Sequence, residues 1–570
     1  MKSKIAVILV LISICSFAQV IGPKTVDLKL DQYSKIFYVA ESGSDESGNG
    51  TNESPYKSIQ FALSKLSGHS EKNRAAIIVA EGKYSGETIQ LKEFVDMFGG
   101  FSASTWKRDI FANASIVSAN SGERLFIGAD NCTIDGFSIR NNQFRGKGAA
   151  LFCDGTSPTI TNNTFLRNKT LIPENWQPKY RHLIANDGGA IYCENGSSPT
   201  IKDNLFYDNS TECGRGAGIA LHKNCSGIIS GNVFMNNVVG LNDPERSSEG
   251  AVSVFDWSSP TIENNLFLNN SALAANDAGG LFVALWAAPK IIANIFVNNS
   301  ATDDAGALFV GGQEHRYDSP LDPIPSKEKF FVEINRNLFV ANTNSSRNSG
   351  AFRITMETRG SFTNNICVYN TGVYFQRSEM EIYNNTLLEN FILIETKEGL
   401  EKSFVANNII WGDLNIDAPA EFSNNNSRKE IIGKDNFSKD PLFIKDSFRI
   451  EPILTPFNNM NQTTSLLISN SIYKENELVG RVVKAGNKWS VIKSNKGNSI
   501  EVWGDLSGEL EVFVLSSFQV DKDSPCIDSG KNIASVKTDY KGTARPIKGK
   551  TSLKHDVGAF EYKPISKGAK

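Results

Sequence analysis

Asp154, Glu194 and His222 stand at one place on three successive copies of a recurrent strand phrase. Two carboxylates a strand spacing apart can share a Ca²⁺ ion or raise one another's pKa, and an imidazole beside them can take a proton. Trp257 and Trp286 share another place in two neighbouring copies, where their indoles could stack on a ligand's flat faces or shield the flank under a loop. Asp303-Asp304 is a further pair of Ca²⁺ oxygen donors. The segment 170–187 adds Trp176, Tyr180, Arg181, His182 and Asp187. The plainer reading of the acidic column is a solvated polar face, and of the acidic pair a soluble loop.

These residues need a repeating scaffold, and the chain supplies one. Pro158-Thr-Ile-Thr-Asn-Asn-Thr-Phe165-Leu-Arg-Asn168 returns as Pro199-Thr-Ile-Lys-Asp-Asn-Leu-Phe206-Tyr-Asp-Asn209. It returns again as Pro260-Thr-Ile-Glu-Asn-Asn-Leu-Phe267-Leu-Asn-Asn270 and Pro289-Lys-Ile-Ile-Ala-Asn-Ile-Phe296-Val-Asn-Asn299. Weaker copies place Phe234/Asn237, Phe339/Asn342, Cys367/Asn370 and Leu387/Asn390 in the same frame. Ile139/Asn142 begins the series, and Ile410/Asp413 ends it with a carboxylate for the amide. A second phrase precedes most copies, as in Gly189-Ala-Ile-Tyr-Cys193, Gly250-Ala-Val-Ser-Val254, Gly306-Ala-Leu-Phe-Val310 and Gly350-Ala-Phe-Arg-Ile354.

Phe165, Phe206, Phe234, Phe267 and Phe296 are separated by 41, 28, 33 and 29 residues. Fixed strands with elastic connections mean that each repeat is one coil and each insertion a loop on it. Alternation turns Ile160 and Phe165 inward, so like side chains stack at roughly 4.8 Å. Asn163, Asn204, Asn232, Asn265, Asn294, Asn337, Asn365, Asn385 and Asn408 share one turn position, where an amide can bond the next amide along the axis. No helical period runs through the repeats, and a propeller would need four strands per unit. The fold class is all-β, a parallel β-solenoid, with Cys153 and Cys193 aligned inward as buried thiols.

A solenoid needs closed ends. Ser54-Pro55 reads as the start of a capping helix, with Ile59, Ala62, Leu63 and Leu66 as its apolar stripe. The expected organisation is a signal peptide over 1–18, an N-terminal cap and first coils over 19–115, and repeats over 116–440. A small β-rich subdomain over 441–515 and a closing segment over 516–570 follow. The leader has Lys2 and Lys4, an apolar run from Ile5 to Ile14, and Ser16-Phe17-Ala18 before a cleavage point. Lipidation at Cys15 is the weaker alternative, because Ile12 and Ile14 depart from a lipobox.

Of 570 residues, 59 are Lys or Arg and 62 are Asp or Glu, a net charge of −3. No basic excess offers a nucleic-acid footprint. Seven cysteines remain beyond the leader, an odd number without a CxxC pair, so neither a disulfide framework nor a structural zinc site is indicated. The mature chain is expected to be monomeric, without a transmembrane segment.

Phe37-Tyr-Val-Ala-Glu-Ser-Gly-Ser-Asp45, Gly48-Asn-Gly-Thr51 and Ser54-Pro-Tyr-Lys-Ser-Ile59, with the repeats, resemble the pectate-lyase-like right-handed β-helix superfamily. The pairing of the Gly-Ala and Phe-x-x-Asn phrases is also similar to repeats of polymorphic outer-membrane adhesins. Asp523-Ser-Pro-Cys-Ile-Asp528-Ser-Gly530, Asp539-Tyr-Lys-Gly-Thr-Ala-Arg545-Pro546 and Asp556-Val-Gly-Ala-Phe-Glu561 resemble the tail of choice-of-anchor Q bacterial surface proteins. The resemblance implies a right-handed β-helix, export or surface display, and a polysaccharide or cell-surface glycan as partner. It holds both a polysaccharide lyase or glycoside hydrolase and a non-catalytic adhesin open. The hydrolase and pectate-lyase signature motifs are missing. If the chain is a lyase, a cation must neutralise the uronate and a base must take its C5 proton. Arg215, Lys223, Arg246, Arg353 and His222 are then the candidates. Loops 170–187, 211–216, 240–249 and 301–305 should line one edge as groove walls, while loop 311–330, with His315, Arg316 and Tyr317, leaves another corner.

Overall fold

The computed structural model describes residues 21–174, 186–242, 248–274, 276–312, 325–346, 349–389, 391–396, 400–417, 420–469 and 473–564. Strands from successive coils pair in parallel into sheets of 14, 13, 12 and 7 strands. Each regular coil runs through the sheet of the Gly-Ala phrases, then that of the Pro-Thr-Ile phrases, then that of the Phe phrases. A short fourth strand follows, as in Ile191–Glu194, Thr200–Lys202, Leu205–Tyr207 and Ser210–Thr211. The architecture is a right-handed parallel β-helix.

The columns follow from registers that pair like with like. Ile160 pairs with Ile201, Phe165 with Phe206 and Cys153 with Cys193. The Phe rings stack face to face, at 4.7 Å for Phe165–Phe206, 4.9 Å for Phe206–Phe234 and 4.6 Å for Phe267–Phe296. All seven described cysteines are buried.

Two asparagine ladders close the tight turns on either side of the Phe sheet. In the first, Asn232 Oδ1 accepts from both the backbone N (2.9 Å) and the Nδ2 (3.0 Å) of Asn204 in the coil before. Its Nδ2 donates back to Ile201 O at 2.9 Å. A buried turn is thereby satisfied without water. The residue before each ladder asparagine has a positive φ, as in Asn162 (54°) and Asn264 (55°), which explains the many Asn-Asn pairs, since asparagine tolerates that region. The second ladder, through Asn168, Asn209 and Asn237, ends on the carboxylate of Glu389. The expected terminator Asp413 is instead exposed and pairs with Lys429 at 3.1 Å. Asn390 lies outside the described residues.

The N-terminal helix is Ile59–Ser64, and it buries Ile59, Ala62 and Leu63 over the first coil. Its N-cap is Ser58, whose Oγ accepts from Phe61 N at 3.2 Å, not Ser54. The segment at Ser54-Pro55 stays extended because Tyr56 bonds Tyr38 O (2.9 Å) and Ala40 N (2.9 Å). Lys92 Nζ donates to Leu63 O and Leu66 O, both at 2.8 Å, which satisfies carbonyls at the helix end. Among the described residues no helix is long and apolar enough to cross a membrane.

Residues after the coils form a seven-stranded antiparallel sheet, from Phe448–Ile450 to Val512–Val514. It packs on the outer face of the Phe sheet, where Leu205, Val233, Leu266, Val297, Leu338 and Ile366 meet Val482, Val491 and Trp503. The segment from Phe518 onward packs on the last coils, with Cys526, Ile527 and Val557 against Ile409. It lies along the flank, where Gly558 N donates to Asn407 O (2.7 Å) and Asn384 Nδ2 to Asp556 O (2.8 Å). The last ladder bond runs from Asn425 to Asn436, and Ile431 packs against the core. The tail motifs supply a buried network that fixes this flank. Arg545 pairs with Glu561 at 2.9 Å, both fully buried, and Asp528 accepts the backbone N of Lys550 and Thr551 at 2.6 Å each.

Candidate functional site

Alternation along Ile191–Glu194 buries Ile191 and Cys193 in the solenoid and turns Tyr192 and Glu194 outward on the Gly-Ala sheet. Asp154 pairs with Glu194 in register, and His222 follows Leu221 at the next rung. The three residues stack as expected, but their partners differ. Asp154 is exposed and accepts from Asn195 Nδ2 at 2.6 Å. Glu194 lies between two ammonium groups, Lys147 and Lys223, each 3.4 Å from its Oε2, and accepts from Tyr192 Oη at 3.1 Å. Burial alone would raise the Glu194 carboxyl, but the two lysines and the tyrosine hydroxyl outweigh it and hold the group below its ordinary value.

Tyr192 Oη is the hub of this cluster. It receives a hydrogen bond from Lys147 Nζ at 2.9 Å and lies 3.1 Å from His222 Nδ1. Burial, with the charges of Asp187 and Glu194, pushes its phenol far up, so the ring stays neutral. His222 Nε2 is 3.2 Å from Asp256 Oδ2, which fixes the imidazole between phenol and carboxylate. Lys147, Tyr192 and Asp256 carry no distinguishing motif. Tyr192 was nonetheless findable, since alternation places it on the same face as Glu194, two residues on.

The other cationic candidates are held elsewhere. Arg215 is buried, with its guanidinium 4.4 Å from the Phe255 ring centroid and its Nε 3.4 Å from Glu249 Oε2. Arg353 is buried and binds Gln376 Oε1 through Nε (3.1 Å) and Nη2 (2.7 Å), with Nη1 donating to Asp304. Arg215 and Arg353 are therefore structural ion-pair residues in this arrangement. Arg246, Trp176, Tyr180 and Arg181 lie outside the described residues, as do His182, His315, Arg316 and Tyr317.

Trp257 and Trp286 do occupy equivalent corners, with Trp257 N donating to Leu285 O and Trp286 N to Gly312 O. Their rings lie 6.5 Å apart, tilted by 39°. Only one is open to a ligand: Trp257 is 39% exposed and Trp286 4%. Phe330 meets the Trp286 ring edge-on at 5.1 Å. A two-indole platform is therefore not formed.

Asp277, Asp303 and Asp304 bring carboxylate oxygens within 4.8 Å of one another. Asp304 already holds Arg353, and Asp303 Oδ1 accepts from Ser346 Oγ at 2.8 Å. Three oxygen donors of this kind suit a hard cation such as Ca²⁺. Asp154 and Glu194 do not converge in that way, because amide and ammonium groups hold them.

Residues 99–317 match the family model for a right-handed β-helix region. The match agrees with the right-handed parallel β-helix fold of the coils, to which the antiparallel sheet is appended. The chain's backbone is similar to XylC in complex with xylose, at 12% identity and TM-score 0.40, covering 92% of this chain and 98% of that one. It is similar to pectate lyase Pel9A at 13% identity and TM-score 0.33, covering 93% and 97%. A tailspike protein of E. coli bacteriophage HK620, in complex with a pentasaccharide, aligns at 12% identity and TM-score 0.28, covering 86% and 94%. No curated protein matches the sequence significantly.

Proposed function

We propose that the protein is a secreted or cell-surface glycan-binding β-helix whose Gly-Ala face receives a polysaccharide chain. The observation that carries this reading is the contrast across that face. Glu194, His222, Lys147 and Lys223 are held in one cluster, while the Trp257 indole remains open beside it. An exposed indole can stack on a sugar ring, and the fixed polar groups beside it can bond hydroxyls without reorganising. The leader over 1–18 and the surface-protein resemblance of the tail support export. A Ca²⁺ ion held by Asp277, Asp303 and Asp304 would brace loops at the same edge.

A polysaccharide lyase is the second reading, and one observation favours it. Tyr192, His222 and Asp256 stand in line, with the imidazole hydrogen-bonded to the phenol on one side and 3.2 Å from a carboxylate oxygen on the other. The test incubates the mature protein with a panel of acidic polysaccharides, with and without Ca²⁺. It follows the ultraviolet absorbance of an unsaturated uronate beside retention on a glycan array. Retention without an absorbance rise supports the binder, a rise supports the lyase, and the lack of both overturns the two together.

A further inference from the structure

A second aromatic surface lies far from the Gly-Ala face, at the seam between the solenoid and the C-terminal sheet. Arg449 pairs with Phe513, Phe513 with Lys484, and Lys484 with Trp489, so four side chains form one cross-strand row on one face. Val482 and Val491, two residues from Lys484 and Trp489 on the same side, are buried against the Phe sheet. The row therefore runs from that contact out beyond the edge of the solenoid. Phe513 is 48% exposed, and Lys484 is exposed as well.

The solenoid adds a ring at the same place. Tyr369 occupies the tight turn after Ile366–Val368, with φ of 62°, and is 62% exposed. Its ring centroid lies 6.5 Å from that of Trp489, tilted by 37°. Lys484 Nζ sits 5.1 Å from the Trp489 ring centroid and forms no ion pair among the described residues. Arg449, at the far end of the row, is held by Glu451 (2.7 Å) and Glu511 (3.2 Å).

Equivalent turn positions in other coils carry small or polar residues: Arg167, Asp208, Asn236, Asn269, Asn298 and Ala341. Tyr369 is the one aromatic among them, and it stands where the neighbouring sheet presents Trp489. A bulky side chain at positive φ carries a backbone cost, which its turn does not require. Two exposed rings, Tyr369 and Phe513, and the half-buried Trp489 along a strip one residue wide, with an ammonium between them, do not make a broad apolar patch. They fit a narrow chain whose units alternate a flat C–H face with an acidic group: the rings stack on the faces, and the ammonium meets the acid.

We infer that this seam binds a strand of acidic polysaccharide, with Tyr369 and Trp489 stacking on sugar rings, Lys484 pairing with a carboxylate or sulfate, and Phe513 extending the track. The inference shares with the proposed function only the class of ligand, since none of its residues belongs to the Gly-Ala face.

The test measures calorimetric binding of oligogalacturonate, sulfated oligosaccharide and neutral cello-oligosaccharide to the mature chain. Tyr369→Asn is the main variant, because asparagine keeps the turn conformation while removing the ring. Acidic oligosaccharides should bind about tenfold more weakly to it. Lys484→Gln should abolish the preference for acidic over neutral chains, and Trp257→Ala should leave this component unchanged. A loss seen with Trp257→Ala alone would place all binding on the Gly-Ala face and overturn the seam site. So would unchanged affinity in both Tyr369→Asn and Trp489→Ala. Sedimentation decides against a second copy of the chain: concentration-dependent dimers dissolved by Tyr369→Asn, without glycan binding, would also overturn the inference.

Discussion

The carboxylate of Glu389 accepts a hydrogen bond from Asn370 Nδ2 at 2.5 Å, taking the place that an asparagine amide holds in the coils before it. An amide ladder can run indefinitely because each member both donates through its NH2 and accepts through its oxygen, whereas the Glu389 carboxyl has no NH2 to hand on. Glu389 thus ends the column where the fourth sheet has already stopped, at Thr343–Asn344.

Burial raises the Glu389 carboxyl to about 8, against the lowering pull of its hydrogen bonds from Asn370. The folded chain therefore keeps a proton that the unfolded chain releases above its ordinary carboxylate range. Stability should fall as pH rises through the window from about 4.5 to about 8, by up to ~5 kcal/mol, and level off beyond it. Glu389→Gln keeps an acceptor for Asn370 and removes the titration. Its melting temperature should exceed that of the parent near the alkaline end and match it near the acid end. Parallel pH profiles for the two proteins would refute this role.

Asn232 tests the ladder itself. Replacing it by alanine strands the backbone N of Asn204 and the carbonyl of Ile201, both inside the wall. The expected loss is about 3 kcal/mol in denaturant unfolding. A loss below ~1 kcal/mol would mean that water or a neighbouring amide replaces the bonds.

The two tryptophans should separate cleanly. Trp286→Ala removes a buried ring packed on Phe330 and should cost about 3–5 kcal/mol of stability. Trp257→Ala should leave the melting transition near its original value and lower glycan retention on the array. The opposite assignment of the two phenotypes would contradict the packing described.

Calcium offers a further check. Millimolar Ca²⁺ should raise the melting temperature by a few degrees, as expected for a weak extracellular-type site, and Asp303→Asn should remove the increment. An equal shift in the variant would move the ion to other carboxylates.

The columns were legible because each one repeats a residue type at a fixed strand position: Phe165 to Phe339 and Asn163 to Asn408 declare themselves by recurrence. The outward cluster was half legible. Glu194 and His222 align by counting, but their partners Lys147 and Asp256 are joined by side-chain reach across coils, which no spacing encodes. Trp286 misled for a related reason, since Phe330 meets its ring edge-on. The seat of the C-terminal sheet had a signal in phrases such as Leu205-Phe-Tyr207, Val233-Phe-Met235 and Leu266-Phe-Leu268. Their apolar residues on both sides of the phenylalanine mark strands covered on two faces.

A bare solenoid touches only its nearest neighbours and can fray one turn at a time from either end. Here the appended antiparallel sheet lies across the wall from Leu205 to Ile366 like a splint, touching coil after coil at once. No middle turn can peel away without tearing that seam along its length. The middle of the barrel and its splint should therefore melt in a single concerted step, leaving gradual fraying to the first coils near the capping helix.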